Sequence, residues 1–273
     1  MCSHKIQNGY LLILWFITIQ LTINPGNFLM FPILRIFDFD ETISQQHTAQ
    51  TPGNYSPENN TKDGIKDYLR HSNEELCAIA TFHKDPHYVL SYLLPLLELG
   101  DTAVIGQEIK TSEHHQLTKF YLNGFQHPII IATPLLNDYN ENLHALAAKS
   151  KTPLLSSIVK ELPPCYEYHY YEDGQMFYDG AAELKIFNRH LVVKGGKKFE
   201  IAQEQAPNSE YLLKTMLEAY LAQSKAESFT AIKDPVGEEK EKEKEPAKSD
   251  YKGLKVQSFF ANSHSTPSIN EAS

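Results

Sequence analysis

Residues 31–43 read FPILRIFDFDETI, an apolar, strand-prone run that ends in Asp38, Asp40 and Thr42. A continuous run of this kind suits a strand buried on both faces of a parallel sheet. Side chains alternate along a strand, so Asp38 and Asp40 are expected on one side. Charges at the end of such a strand lie where open α/β sheets place their ligands, at the carboxyl edge. Two carboxylates that close repel each other unless a cation or a shared proton intervenes. The spacing D-x-D-x-T therefore predicts a magnesium site with one nucleophilic and one proton-shuttling carboxylate.

Further along the chain, LCAIA at 76–80 reads as the next buried strand and ends in Thr81. A helix follows: Asp85 caps it, Pro86 suits its first position, and Val89, Leu90, Leu93 and Leu94 supply its buried stripe. In AAKSKTPLLSSIV, Lys149 and Lys151 precede a helix started by Thr152 and Pro153, with Leu154, Leu155 and Ile158 as its apolar face. Lys151, at the helix start, is the better placed to reach across the mouth of the sheet as a point charge. The aromatic run 166–171, YEYHYY, is strand-prone and is closed by Glu172, Asp173 and Gly174. Asp179, in FYDGAAELK, is a weaker third acid.

The ordered set resembles the motifs of the haloacid dehalogenase superfamily over roughly residues 30–222, beginning with FDFDETI as its D-x-D-x-T motif. The resemblance implies a Rossmann-like α/β fold, with a mostly parallel central sheet flanked by helices and little or no cap. It implies that Asp38 attacks phosphorus and becomes an aspartyl-phosphate. Asp40 would be the general acid and base, its backbone carbonyl helping to hold Mg2+. Thr81 would donate to the phosphoryl oxygens, and Lys151 would steady the nucleophile and the transferring group. Asp173 would be a metal ligand and Glu172 a direct or water-mediated second. Glu172 departs from the Asp that the family commonly carries there.

Composition bounds the rest. A net charge of -9 excludes wholesale nucleic-acid binding by electrostatics. An apolar content of 41% is slightly low for a globular domain and predicts polar, unfolded pieces. Cys2, Cys77 and Cys165 have neither paired nor metal-binding spacing, which fits a reducing compartment. Residues 44–75 are rich in turn formers and too short for a large helical cap. Between AVIG at 103–106 and PIIIAT at 128–133, two strand candidates, His114 and His115 are read as surface residues of a polar helix. LVVKGGKKFEIA from Leu191 predicts a hairpin with a Gly-Gly turn. Residues 208–222 predict a capped helix with Leu212, Leu213, Met216 and Tyr220 as its stripe.

The two ends are read separately from the 30–225 domain. Residues 1–29 contain the apolar run YLLILWFITIQLTI, short for a membrane span and closed by Asn24, Pro25 and Gly26. A start at Met30, a signal or anchor, and a packed helix are the three readings of this leader. Residues 226–273 carry the charged block GEEKEKEKEPAK and a small, Ser/Thr-rich end, expected to be disordered. That tail resembles the C-terminal translocation signal of bacterial Dot/Icm type IV secretion substrates. It implies the secretion machinery as a partner, and a bacterial cytoplasmic protein translocated into a host cell. The expected activity is magnesium-dependent phosphohydrolysis of a small-molecule or protein phosphoester, without nucleic-acid or membrane partners. The alternative is a catalytically degenerate binding protein on the same fold, serving as a secreted effector.

Overall fold

The computed structural model describes residues 32–48, 56–112, 115–135, 150–218 and 221. All belong to the first of the two units into which the chain divides, Met1–Ser228. The expectations for the leader, for Lys149, for Tyr220 and for the charged tail lie outside the described residues. Among the described residues, no helix is long and apolar enough to cross a membrane.

The structure is α/β. Its strands are β1 (Ile33–Phe37), β2 (Glu75–Ala80), β3 (Val104–Thr111), β4 (His115–Leu122), β5 (Ile129–Pro134), β6 (Glu167–Glu172), β7 (Phe187–Val192) and β8 (Ile201–Gln205). They form one sheet in the order β3-β4-β5-β2-β1-β6-β7-β8. Helices interleave with them: α1 (Pro57–Asn60), α2 (Pro86–Leu96), α3 (Thr152–Glu161), α4 (Gln175–Gly180) and α5, residues 209–218.

The inner strands β5, β2, β1, β6 and β7 pair in parallel, and the borders β3, β4 and β8 pair antiparallel. The expectation of a mostly parallel sheet thus holds for the centre and is corrected at both edges. The cause is connection length. Parallel neighbours need a crossover of about a dozen residues or more. The links 112–114, 123–128 and 193–200 are shorter and can only return the chain on itself.

The apolar runs become the inner strands because helices cover both of their faces. Leu34, Ile36, Leu76, Ala78, Ile130 and Tyr170 bury against Leu154, Leu155 and Ile158 of α3. The alternate residues Phe37, Cys77, Ile79, Ile131 and Tyr171 share the opposite layer with Val89, Leu90 and Leu93 of α2. α2 begins as the sequence predicts: the Asp85 carboxylate accepts from the His87 and Tyr88 amides, and Pro86 opens the helix. Tyr92 and Leu96 join its buried stripe, whereas Leu94 is only partly buried.

One local prediction fails. His115 begins strand β4, not a helix. Its segment is laid between β3 and β5 with Leu117, Thr118, Phe120 and Leu122 buried, so sheet pairing overrides helix propensity. At the other border, β7 and β8 form the predicted hairpin, with Gly195 and Gly196 at φ 68° and 79° in its loop. The hairpin begins earlier than expected, at Phe187.

Candidate active site

Because β1, β2 and β6 run parallel, their carboxyl ends share one rim, and Asp38, Thr81 and Asp173 each follow one of those ends. Lys151 stands at the cap position of α3 and reaches the same place. Its ammonium lies 2.6 Å from Asp38 Oδ1 and 2.8 Å from Glu172 Oε2. Asp38, Lys151 and Glu172 are 5%, 2% and 1% exposed, so these are interior ion pairs. The Phe82 and Phe177 rings flank the ammonium, with centroids 5.2 and 4.9 Å away.

Thr42 links the third acid to this pair. Its hydroxyl lies 3.1 Å from Asp173 Oδ1 and 3.5 Å from Asp38 Oδ2. Asp38, Glu172 and Asp173 each offer a carboxylate oxygen, all within 4.8 Å of one another. The oxygens are not equally free. Glu172 Oε2 accepts from both Lys151 and the Tyr170 hydroxyl, and Oε1 accepts from the Gly174 amide at 3.0 Å. Asp38 Oδ2 and the Asp173 carboxylate carry the lighter load.

Electrostatics follow from this crowding. Burial raises the Asp38 carboxyl well above the ordinary carboxylate range; Lys151 pulls it back, and the Glu172 and Asp173 charges push it up again. For Lys151, burial favours the neutral amine, but the Asp38 and Glu172 carboxylates outweigh it and the ammonium is held more firmly than in water. Burial and then the Glu172 charge keep the Tyr170 phenol protonated, so it donates. Three carboxylates surround the buried Lys151 ammonium; a second buried ammonium, Lys62, feels the Asp173 and Asp38 charges, and a third, Lys194, stands 3.8 Å from Asp173 on the exposed side. A set of hard oxygen donors this close together fits a small divalent cation such as Mg2+.

Asp40 does not join the three acids through its side chain. β1 ends at Phe37, so strand alternation stops before Asp40, and the chain turns back through Glu41 at φ 61°. The Asp40 carboxylate instead accepts from the Thr48 amide at 2.8 Å and the Thr48 hydroxyl at 2.7 Å, with His47 Nδ1 at 3.7 Å. The expectation from strand alternation, that the Asp40 carboxylate joins Asp38 on one side, is corrected; the metal role implied for Asp40 rests on its backbone carbonyl, not on this side chain. Thr81 is buried at the rim, where its hydroxyl accepts from the His83 amide at 3.0 Å and keeps its own proton to donate. Asp179 is exposed on α4, bonded to Gln175, and takes no part.

Several contributors had no predicted role: Thr42, Thr48, Tyr170 and Gly174. Tyr170 and Glu172 lie two apart on one strand, so alternation places them on one face, and that was the available signal. Thr48 gave none, because its contact depends on how the loop after Glu41 folds.

The mouth of the site is bordered by two segments. Lys62, buried, donates to the Val193 carbonyl at 2.7 Å, and Lys194 contacts Glu41 at 3.1 Å. The Asp63 and Phe199 amides tie residues 63 and 197–199 together. The loop 193–200 is thereby strapped to the segment after α1.

Comparison of the chain with family models finds no match, and comparisons with curated proteins and with solved structures find none either.

Proposed function

We propose that the chain is a magnesium-dependent phosphohydrolase of the haloacid dehalogenase type, acting through an aspartyl-phosphate on Asp38. The observation that carries this reading is the meeting of Asp38, Glu172, Asp173 and Lys151 at one carboxyl rim, with three carboxylate oxygens within 4.8 Å of one another. A central strand of a parallel sheet, ending in the nucleophile, is where open α/β folds place chemistry.

Mg2+ would be held by Asp38, Asp173 and the Asp40 carbonyl, and when bound it supplies the charge that lets a phosphate approach a carboxylate. Lys151 keeps the Asp38 carboxylate aimed at the rim. Asp38 attacks phosphorus as the bond to the leaving oxygen breaks, and Asp40 gives that oxygen a proton. Asp40 then takes a proton from water as the water displaces Asp38 from phosphorus. The Thr81 hydroxyl and Lys151 hold the charge that develops on the phosphoryl oxygens. Glu172 acts through Lys151, since both of its oxygens are engaged.

The test is hydrolysis of a generic aryl phosphate by the purified chain. Turnover should require Mg2+ and fall at least about a thousandfold in Asp38→Asn, with circular dichroism unchanged. Full activity in that variant would falsify the mechanism.

A second reading, a binding protein that has lost catalysis, is favoured by one observation: Thr48 holds the Asp40 carboxylate away from Asp38. Saturable Mg2+ binding without hydrolysis, in folded protein, would select it. For either reading we propose translocation through the type IV tail. A reporter fused to the chain should reach host cells only while residues 226–273 are kept.

A further inference from the structure

A cavity of about 290 Å³ opens between β7, β8, the turn after α4 and the start of α5. Ala181 and Phe187, both buried, make its floor, and Lys185, Arg189, Gln205 and Asn208 stand among its walls. It is a different place from the acidic rim. Phe187 and Arg189 pair in register with Tyr168 and Tyr170, whereas the rim begins beyond Phe37 and Glu172.

The lining holds two cations and no carboxylate. Neither Lys185 nor Arg189 forms an ion pair among the described residues, although acids outnumber bases 34 to 25 in the chain. The Arg189 head group is held in place, and for Lys185 the backbone is fixed. The half-buried Arg189 donates to the Tyr178 carbonyl at 2.9 Å and lies over the Tyr178 ring at 4.9 Å. That uses one N–H of five and leaves a planar fork for a two-pronged acceptor.

Lys185 adopts φ 60°, a left-handed conformation that a non-glycine residue keeps only where its surroundings hold it. Its amide donates to the Ala182 carbonyl, and its own carbonyl accepts from the Asn208 amide at 2.9 Å. Its ammonium stands 5.7 Å from the centre of the Tyr211 ring. Groups fixed in advance lose little freedom on binding.

We propose that this cavity binds a small organic anion, with its acid group between Lys185 and Arg189 and its apolar body against Ala182, Ala206 and Pro207. Carboxylate and phosphonate or phosphate headgroups share the required chemistry. The bare acid group alone would leave the Ala182, Ala206 and Pro207 wall without a partner.

The experiment is calorimetric titration of the full chain with benzoate and, separately, phenylphosphonate, at low salt with EDTA present. One saturable site per chain is expected for at least one probe, and the probe that binds tighter identifies the headgroup. Arg189→Gln should weaken that binding at least tenfold. Lys185→Gln, a change to an exposed side chain, should weaken it several-fold with an unchanged melting temperature. Asp38→Asn should bind as the native chain does. Absence of saturable binding by both probes would overturn the proposal. So would equal affinity in Lys185→Gln and the native chain, or loss of binding in Asp38→Asn.

Discussion

Lys151 holds the acidic rim together, and its neighbours determine what can be removed without collapse. A buried ammonium between two carboxylates is tolerated only when the remaining lone pairs are also met. The Tyr170 hydroxyl and the Gly174 amide do this for Glu172. Tyr170→Phe is therefore expected to lower the free energy of unfolding by about 2 kcal/mol, the scale of a hydrogen bond to a charged group. Urea denaturation checks this, and an unchanged midpoint would mean that Lys151 alone satisfies Glu172. Asp38, Thr81, Lys151 and Asp173 were legible because strand ends and helix starts can be read from local pattern. The direction of the Asp40 side chain was not legible, because it depends on a turn at Glu41 and on Thr48, eight residues downstream.

At the scale of elements, the inner strands were legible as apolar runs, and the capped helices as caps followed by stripes. The border strand β4 was not. HHQLTKFYL carries no clean period, and its buried face appears only when β5 supplies a partner. Packing also creates a pH dependence invisible in sequence. His71 clips the approach to β2: Nδ1 accepts from the Cys77 amide, and Nε2 lies 3.2 Å from the His127 carbonyl that precedes β5. Burial lowers its pKa to about 4, since charging it would cost solvation.

Below an unfolded value near 6.5 the unfolded chain binds the proton and the folded one resists it. The contribution of His71 is thus complete above about pH 6.5 and is lost as pH falls toward 4, by about 3 kcal/mol in all. Denaturation at a series of pH values should show a shallower decline over this window in His71→Gln than in the native chain. Parallel curves would mean that the loss comes from other groups.

For the molecule as a whole, a cation that binds only the folded state must stabilise it. Mg2+ at about a hundred times its dissociation constant adds about 2.7 kcal/mol and should raise the melting temperature by several degrees. The rise should vanish in the double variant Asp38→Asn, Asp173→Asn; a rise that persists there would place the ion elsewhere.

The strand order has a consequence for how the chain is made. β1 is the earliest described strand to leave the ribosome, yet one of its two flanks is supplied by β6, some 130 residues later. A nascent or truncated chain that stops before residue 167 leaves β1 with an open side, and Lys151 without one of its two carboxylates. Fragments cut there should neither fold nor report on the intact protein. The smallest piece worth expressing on its own must run past β7.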